Sequence, residues 1–288
     1  MTQETLKNLL PKFIESLKEK GRSPATILAY RADLEQLVQY LTGKNKGLPE
    51  QIIASDLESF RDQLLAEKYT PKTVSRKLNA VKTFFRWLIS ENHLASDPSL
   101  SVAHPKIESS LPKFLSPLEY RALRDVVRSD IRIAAIVEII LQTGIRISEV
   151  ASLKLSNLKG DHMKIEAYAT QPERTIPLNR AAKEAISSYS ATRPNKIASE
   201  YLFVSKNGKP LAVRNIRAAI DRYMQRAEMP NYSVNDLRTT FIVENIKAGV
   251  DIVLLSQVSG HKRLSTTERY LELAQVKEPG KKQLLVEL

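Results

Sequence analysis

The chain has 288 residues, 42% hydrophobic and 26% charged, which is typical of a folded protein long enough for two domains. Its 44 basic and 32 acidic residues give a net charge of +12, which indicates a polyanionic partner, either nucleic acid or an anionic membrane surface. The lack of cysteine excludes disulfides, thiol nucleophiles and zinc–thiolate sites, and four histidines without HExxH-type spacing make a metal site unexpected.

A membrane span is not predicted, because the sequence has no run of about 18 apolar residues. The N-terminal stretch MTQETLKNLLPKF lacks the uninterrupted apolar core of a signal peptide. We therefore expect an intracellular protein.

The first hundred residues predict helices with clear start signals. Ser23 is a suitable N-cap with Pro24 at the first helical position, and Thr70 with Pro71 repeats this arrangement. The inward stripe of the second of these helices is predicted to contain Val74, Leu78, Val81, Phe85 and Leu88.

Two more helices, at about 5–20 and 55–67, complete an all-helical N-terminal domain predicted over residues 1–103. Residues 104–115 continue a segment rich in proline and small polar residues, and they are interpreted as an interdomain linker. A second domain is then predicted over residues 116–288.

The second domain starts with a capping box formed by Ser116 and Glu119, and a helical pattern runs from Ile133 to about Leu155. The extended segments KIEAYA and RTIPL, on either side of TQPE, predict a β-hairpin. YLFVSKNGKPL predicts another short strand and turn. The fold class is therefore mainly α, with a helical N-terminal domain and a mixed α/β second domain that is mostly helical with a small antiparallel sheet.

The end of this domain predicts two consecutive helices. Asp251 starts DIVLLSQVS and Gly260 stops it. Ser265 and Glu268 are predicted to form a capping box for STTERYLEL.

Three stretches of the second domain together resemble the tyrosine recombinase (phage integrase) family. They are TGIRISEVASLKL around Arg146, NDLRTTF around Arg238, and SGHKRLSTTERYLEL from His261 to Tyr270. The two-domain layout and the LPKFLS junction resemble the Xer-like bacterial members over nearly the whole chain. The resemblance implies a helical core-binding domain followed by a catalytic domain that cuts and rejoins DNA through a 3′-phosphotyrosyl intermediate.

The resemblance implies a role for each matching residue. Tyr270 is the nucleophile, His261 hydrogen-bonds the scissile phosphate, and Arg146 and Arg238 stabilise its charge, since arginine presents a planar fork that matches phosphate oxygens. Glu149 lies one helical turn after Arg146 and could orient it. The alternatives are ion-paired arginines, a capping histidine and a half-buried core tyrosine.

Two positions depart from the family pattern. Asn235 stands where the family has a histidine, and an amide can donate a hydrogen bond to phosphate but cannot shuttle a proton. Ala169 stands where the family has the hairpin lysine that acts as general acid. Lys164, or Lys206 or Lys209 from the KNGK turn, could replace that lysine.

DNA contacts are predicted from the placement of positive charge, with a solvated helix face as the alternative. Most such contacts are expected to reach phosphates. The candidates are Arg22, Lys72, Arg76 and Lys77 in the first domain and Arg214 and Arg217 in the second.

The resemblance implies double-stranded DNA with inverted half-sites as the partner, bound by a dimer at each site and a tetramer in the synapse. It implies no cofactor, no membrane partner, and a location in the bacterial cytoplasm at the nucleoid. In the family, C-terminal segments pack into a neighbouring protomer, and Leu284 and Leu285 are predicted to do so here, with packing on their own domain as the alternative.

The resemblance implies that the biological process is chromosome-dimer resolution, transposon-cointegrate resolution or integration. Two other functions stay open at this point. The first is a catalytically impaired DNA-binding accessory protein of the same fold, which Ala169 and Asn235 favour. The second is a type IB topoisomerase, which the helical N-terminal domain and the junction sequence disfavour.

Overall fold

The computed structural model describes residues 4–108, 111–168, 171–193, 199–276 and 280–288. It divides into two compact units, Met1–Ser109 and Ser110–Leu288. Within the described ranges, no helix is both long and apolar enough to cross a membrane.

The described part of the N-terminal unit contains the four predicted helices, whose existence is confirmed. They are α1 (Leu6–Glu19), α2 (Pro24–Gly43), α3 (Ala54–Ala66) and α4 (Pro71–Ser90). The backbone N–H of Thr26 donates to Ser23 Oγ at 3.2 Å, and that of Thr73 donates to Thr70 Oγ1 at 3.3 Å. Both predicted caps are thus confirmed, each followed by proline at the position where a missing N–H costs nothing.

The core of this unit contains the predicted apolar stripe of α4. Its five members, each at most 1% exposed, are Val74, Leu78, Val81, Phe85 and Leu88. Beside them Phe13 packs with its ring centroid 5.2 Å from that of Phe84 and 5.6 Å from that of Trp87. These rings supply large apolar areas, so the packing between α1 and α4 stabilises the unit.

The second unit begins with the predicted capping box. Glu119 Oε2 accepts a hydrogen bond from the Ser116 backbone N–H at 2.7 Å, and Ser116 Oγ accepts one from the Glu119 N–H at 3.4 Å. These bonds satisfy the first donors of α5 (Pro117–Val127), and the prediction is confirmed.

The helical pattern predicted from Ile133 to about Leu155 is interrupted, so its continuity was wrong. It forms α6 (Ile131–Thr143) and α7 (Ile147–Ser152), separated by Gly144 in the left-handed conformation with φ 62°. A Cβ at Gly144 would overlap the ring of Phe241, so glycine is required here for both space and conformation. The interruption places Arg146 in the connection, as the residue that precedes α7.

A small antiparallel sheet follows, in the order β1 (Leu158–Lys159), β2 (His162–Ile165) and β3 (Arg174–Pro177). The predicted hairpin of β2 and β3 is confirmed, and β1 is an additional strand. Ile165 pairs with Arg174, and Lys164 pairs with Thr175. Since side chains alternate between faces, Arg174 shares the buried face of Ile165, whereas Lys164 lies on the opposite face.

The segment YLFVSKNGKPL forms no regular strand among the described residues, contrary to prediction. The predicted turn is confirmed, since the Gly208 N–H donates to the Ser205 carbonyl at 3.0 Å and an isolated bridge between Val204 and Pro210 closes the KNGK turn. Because this single bridge does not continue into a ladder of paired residues, the turn is a loop and not part of a sheet.

Five more helices follow in the described part of this unit. They are α8 (Arg180–Thr192), α9 (Val213–Arg226), α10 (Val234–Lys247), α11 (Ile252–Ser259) and α12 (Leu264–Ala274). Asp251 caps α11, since its Oδ1 accepts from the next two free N–H groups at 2.9 Å each. The capping box predicted at Ser265 was wrong, because Arg263 already has the extended backbone of an N-cap and Ser265 lies inside the first turn.

The last nine residues dock on their own unit in this single chain. The Val286 N–H donates to Asn245 Oδ1 at 3.0 Å, and Leu285 packs against the core. Leu284 is 80% exposed. These contacts correspond to the alternative interpretation, in which the tail packs on its own domain. Packing of the tail into a neighbouring protomer stays a prediction.

Candidate active site

Three arginine side chains converge on the last carbonyl groups of α11, and these are Arg146, Arg174 and Arg238. Arg146 Nη2 donates to the Gly260 carbonyl at 2.8 Å, and Arg238 Nη2 donates to the Ser259 carbonyl at 2.7 Å. Arg174 Nε donates to the Val258 carbonyl at 2.7 Å. The carboxyl end of a helix carries partial negative charge, so α11 orients all three guanidinium groups.

Gly260 permits this convergence. It ends α11 with φ 65°, and a Cβ added there would lie 2.9 Å from Cζ of Arg174 and 3.1 Å from Nη1 of Arg146. Only glycine combines the left-handed backbone with such a close approach of guanidinium groups. The helix stop predicted from sequence is therefore also part of the arginine cluster.

Glu149 is the carboxylate of this cluster. It is 9% exposed and accepts two hydrogen bonds from Arg174, both at 2.8 Å, and one from Arg146 Nη1 at 3.2 Å. Burial by itself raises the pKa of Glu149, but the bonds and charges of Arg174 and Arg146 outweigh it, so the pKa lies below the usual 4.5. Glu149 is thus a carboxylate at neutral pH, and it orients Arg146 as its position in the sequence suggested.

Arg174 belongs to the site, although the sequence analysis did not predict it as a site residue. The available signal was strand alternation, because Arg174 falls on the apolar face of its strand. A charged side chain there needs a buried partner, and Glu149 supplies it.

Arg238 lies on α10 and donates to the carbonyl of Gly144 as well as to Ser259. Burial and the neighbouring charge of Arg146 lower its pKa to about 9. It therefore remains protonated at neutral pH, but its charge is poorly compensated by its surroundings.

His261 follows the Gly260 stop and points toward α12. Its Nδ1 lies 2.7 Å from Oγ1 of Thr267, a fully buried residue. Burial, with the charges of the three arginines, lowers the pKa of His261 to about 4. The imidazole is therefore neutral at pH 7.

Tyr270 lies on α12 one turn after Thr267 and is half-buried. Its ring stacks on that of His261, with centroids 6.1 Å apart and planes 4° from parallel. Tyr270 is near enough to Arg238 to act electrostatically on the pKa of that guanidinium, which it raises slightly against the larger lowering by burial and Arg146. The structure thus brings Tyr270, His261, Arg146 and Arg238 together at one place.

Asn235 begins the same turn of α10 that ends at Arg238, and its side chain is exposed. Its carbonyl accepts a hydrogen bond from Thr239 Oγ1 at 3.2 Å. The side-chain amide makes no hydrogen bond to another described residue. It is therefore free to bind a ligand from solvent.

Ala169, the position of the family lysine, lies outside the described residues. Of the three lysines predicted as substitutes, Lys164 is paired with Glu173 at 3.0 Å. Lys206 lines a small cavity together with Arg132, and Lys209 belongs to the same turn.

Lys77 was predicted to lie on the solvent-exposed face of α4, but its side chain is buried. It is 7% exposed, and its Nζ donates to Asp33 Oδ1 at 3.0 Å and to Gln36 Oε1 at 2.8 Å. Helical spacing explains the error, because Lys77 lies three residues after Val74 and four before Val81 and so shares their inward side. Because its ammonium is hydrogen-bonded inside the N-terminal unit, Lys77 is no longer a candidate for DNA contact.

The other predicted DNA-binding cations lie at the surface. Arg76 is half exposed and also donates to Asp33, at 3.0 Å through Nη2. Four more are exposed and have no ion pair with another described residue, namely Arg22, Lys72, Arg214 and Arg217.

Comparisons with known proteins match both units. Residues 113–276 match the model of the phage integrase family, and residues 10–92 match that of the phage integrase N-terminal SAM-like domain. Tyrosine recombinase XerC of Listeria innocua is 29% identical over 283 residues, covering 94% of each chain. XerC of Roseiflexus castenholzii is 28% identical over 267 residues, covering 88% of this chain and 85% of the relative.

Among solved structures, a lambda integrase tetramer bound to a Holliday junction has a similar fold. The TM-score is 0.76 at 16% identity, covering 93% of this chain and 78% of the integrase. The integrase family model spans more than half of the sequence. The chain therefore belongs to the phage integrase family of tyrosine recombinases, enzymes that cut and rejoin DNA at specific sites.

Proposed function

We propose that Tyr270 is the nucleophile of this recombinase and that Arg146, Arg238 and His261 bind the scissile phosphate. The main support is the charge imbalance of the pocket, where Glu149 is the one carboxylate among the described residues that pairs with any of the three arginines, beside a half-buried tyrosine. A phosphodiester would supply the missing negative charge.

The arginines are already oriented for this task. Their hydrogen bonds to the end of α11 hold Arg146 and Arg238 before any substrate binds. Donors that need not reorganise during the reaction stabilise the charge that develops on the non-bridging oxygens. Arg174 does not bind phosphate in this scheme but positions Arg146 through Glu149.

His261 acts as a neutral hydrogen-bond donor. A buried hydroxyl needs an acceptor for its hydrogen, and among the described residues Thr267 Oγ1 bonds only with Nδ1 of His261. If the hydroxyl donates, the neutral ring carries its hydrogen on Nε2. That N–H is then available to a phosphate oxygen.

The reaction needs no cofactor. The Tyr270 oxygen bonds to phosphorus, the bond to the 5′ oxygen breaks, and a 3′-phosphotyrosyl link remains. A 5′ hydroxyl from the partner strand later reverses the exchange. Because the covalent link conserves the energy of the cut bond, strands are rejoined without ATP.

The partner we propose is double-stranded DNA with inverted half-sites, bound by a dimer at each site and a tetramer in the synapse. The similarity of fold to a lambda integrase tetramer on a Holliday junction supports this assembly. Arg22, Lys72 and Arg76 would bind phosphates from the N-terminal domain at 1–103, beyond which we assign 104–115 as linker.

On the catalytic domain at 116–288, Arg214 and Arg217 would bind DNA phosphates and Asn235 would donate its amide near the scissile one. All three side chains are exposed. Most of the affinity would then be electrostatic and would fall steeply with salt. The site of action would be nucleoid DNA in the bacterial cytoplasm.

The test is trapping on a nicked suicide substrate that carries the recombination site. We expect the chain to form a covalent adduct that survives denaturing electrophoresis, and Tyr270→Phe to form none. The matched control is Tyr223→Phe, which removes the hydroxyl of another half-buried tyrosine and should leave the adduct intact.

An adduct that persists in Tyr270→Phe would contradict the nucleophile assignment. Tight DNA binding without an adduct in any form of the chain, including Ala169→Lys, would instead indicate an accessory protein that has lost catalysis.

A further inference from the structure

The leaving 5′ oxygen requires a proton that the residues assigned so far do not supply. Arg146 and Arg238 already donate to backbone carbonyls and are assigned to the non-bridging oxygens, and a neutral His261 donates a hydrogen bond without giving up its hydrogen. The position of the family lysine holds Ala169. This inference rests on the proposed function, since it completes the same reaction.

A cavity of about 610 Å³ opens beside the arginine cluster, between the β2–β3 hairpin and the end of α11. Its lining includes Arg174, Gly260 and His261, so it adjoins the proposed phosphate site. The same lining contains one lysine, Lys262.

The ammonium of Lys262 is available. Its side chain is exposed and forms no ion pair or hydrogen bond with another described residue. The acidic residue in the cavity wall, Glu173, is paired with Lys164.

The backbone next to Lys262 is held in place. The His261 N–H donates to the Ser256 carbonyl at 2.9 Å, which fixes the chain immediately before the lysine. Because the backbone is fixed at this point, the flexible four-carbon side chain of Lys262 can place its ammonium at different positions within the cavity.

The substitutes suggested by sequence fit less well. Lys164 lies on the face of the sheet opposite Arg174, and its ammonium is already paired with Glu173 at 3.0 Å. Lys206 shares its cavity with Arg132 near the start of α6, whereas the arginine cluster adjoins Gly144 beyond the other end. Those two ends are about 18 Å apart at about 1.5 Å per helical residue, too far for one side chain.

We propose that Lys262 is the general acid of DNA cleavage. As the Tyr270 oxygen bonds to phosphorus and its phenolic proton passes to water, the bond from phosphorus to the 5′ oxygen breaks. The Lys262 ammonium gives its proton to that oxygen and becomes a neutral amine, and the same amine takes the proton back during religation.

The test compares a normal nicked substrate with one whose 5′-bridging oxygen is replaced by sulfur. A thiolate leaves without protonation, so the sulfur substrate does not need a general acid. We expect Lys262→Ala to form adduct at least about 100-fold more slowly on the oxygen substrate, and at the unsubstituted rate on the sulfur substrate. Lys262→Arg keeps the charge but should show the same defect, because guanidinium is too weak an acid.

The matched control is Lys159→Ala, which removes another exposed lysine of the same unit and should be normal on both substrates. Wild-type cleavage of the oxygen substrate by Lys262→Ala would overturn the proposal, and so would an equal defect on both substrates. In either case the Tyr270 adduct would still form, so the proposed function would stand. If the unsubstituted chain formed no adduct even with the sulfur substrate, both proposals would fall together.

Discussion

Two clusters in this chain contain more cations than carboxylates, and they differ in what accepts the hydrogen bonds. In the N-terminal unit, the buried carboxylate of Asp33 accepts from both Arg76 and Lys77. In the catalytic unit, Glu149 accepts hydrogen bonds from Arg174 and Arg146, whereas Arg238 donates to backbone carbonyls.

This difference separates a structural cluster from a candidate binding site. The buried carboxylate of Asp33 compensates the buried ammonium of Lys77, which gives a second hydrogen bond to the amide oxygen of Gln36. The surplus positive charge of that cluster lies on the half-exposed Arg76. Backbone carbonyls orient a guanidinium but carry no net charge to cancel it. Positive charge therefore remains in the catalytic cluster for an anion.

The largest effect is expected where the charge is least compensated. Arg238→Ala should slow adduct formation on the nicked substrate by about 10²–10³-fold, the usual loss when one oriented donor to the developing charge is removed. DNA binding should change far less, since other cations still reach phosphates. Arg128→Ala, which removes an exposed arginine of the same unit, is the control for single-turnover trapping. Equal rates of adduct formation for Arg238→Ala and Arg128→Ala would contradict the distinction between the two clusters.

In the N-terminal cluster the expected effect is on stability. Asp33→Asn should lower the free energy of unfolding by about 3 kcal/mol, because it leaves the buried Lys77 ammonium unpaired. Urea unfolding of the N-terminal unit within the full chain would measure it. Asp62→Asn, at an exposed ion pair, should cost less than about 0.5 kcal/mol.

A smaller effect on rate is expected at Thr267. Thr267→Val removes the hydroxyl that bonds to Nδ1 of His261 and should slow cleavage roughly fivefold, which corresponds to about 1 kcal/mol of hydrogen bonding. Thr267→Ser should retain the rate. Nitrogen NMR of the imidazole should show one tautomer in the unsubstituted and serine forms and a mixture in the valine form. A single unchanged tautomer in all three would contradict the assignment.

A further effect is expected on the pH dependence of stability. His261 has a pKa of about 4 in the folded chain against 6.5 for a free histidine, so between these values only the unfolded state binds its proton. Stability should therefore fall as pH drops from 6.5 toward 4, and Glu149 adds a further loss below about 4.5.

Unfolding midpoints measured across this pH range would show the slope. His261→Gln should make it shallower, whereas His162→Gln, at an exposed position, should leave it unchanged. An identical slope in both variants would mean that the arginine cluster does not act on the imidazole.

Local patterns predicted much of the fold. The caps at Ser23, Thr70, Ser116 and Asp251 are present because each depends on a few neighbouring residues. Predictions failed where a distant side chain decided the outcome. The helical pattern ends at Gly144, whose left-handed backbone lies against the ring of Phe241, nearly a hundred residues away.

The sequence by itself determined the helical class, the hairpin, the order of Arg146, Arg238, His261 and Tyr270, and the family resemblance, because these reside in local spacing and residue type. Only the tertiary structure decided that Lys77 is buried against Asp33 and that Arg174 joins the site through Glu149. The physical reason is that charge compensation depends on which partners the fold brings within a few ångströms, and those partners are far apart in the chain.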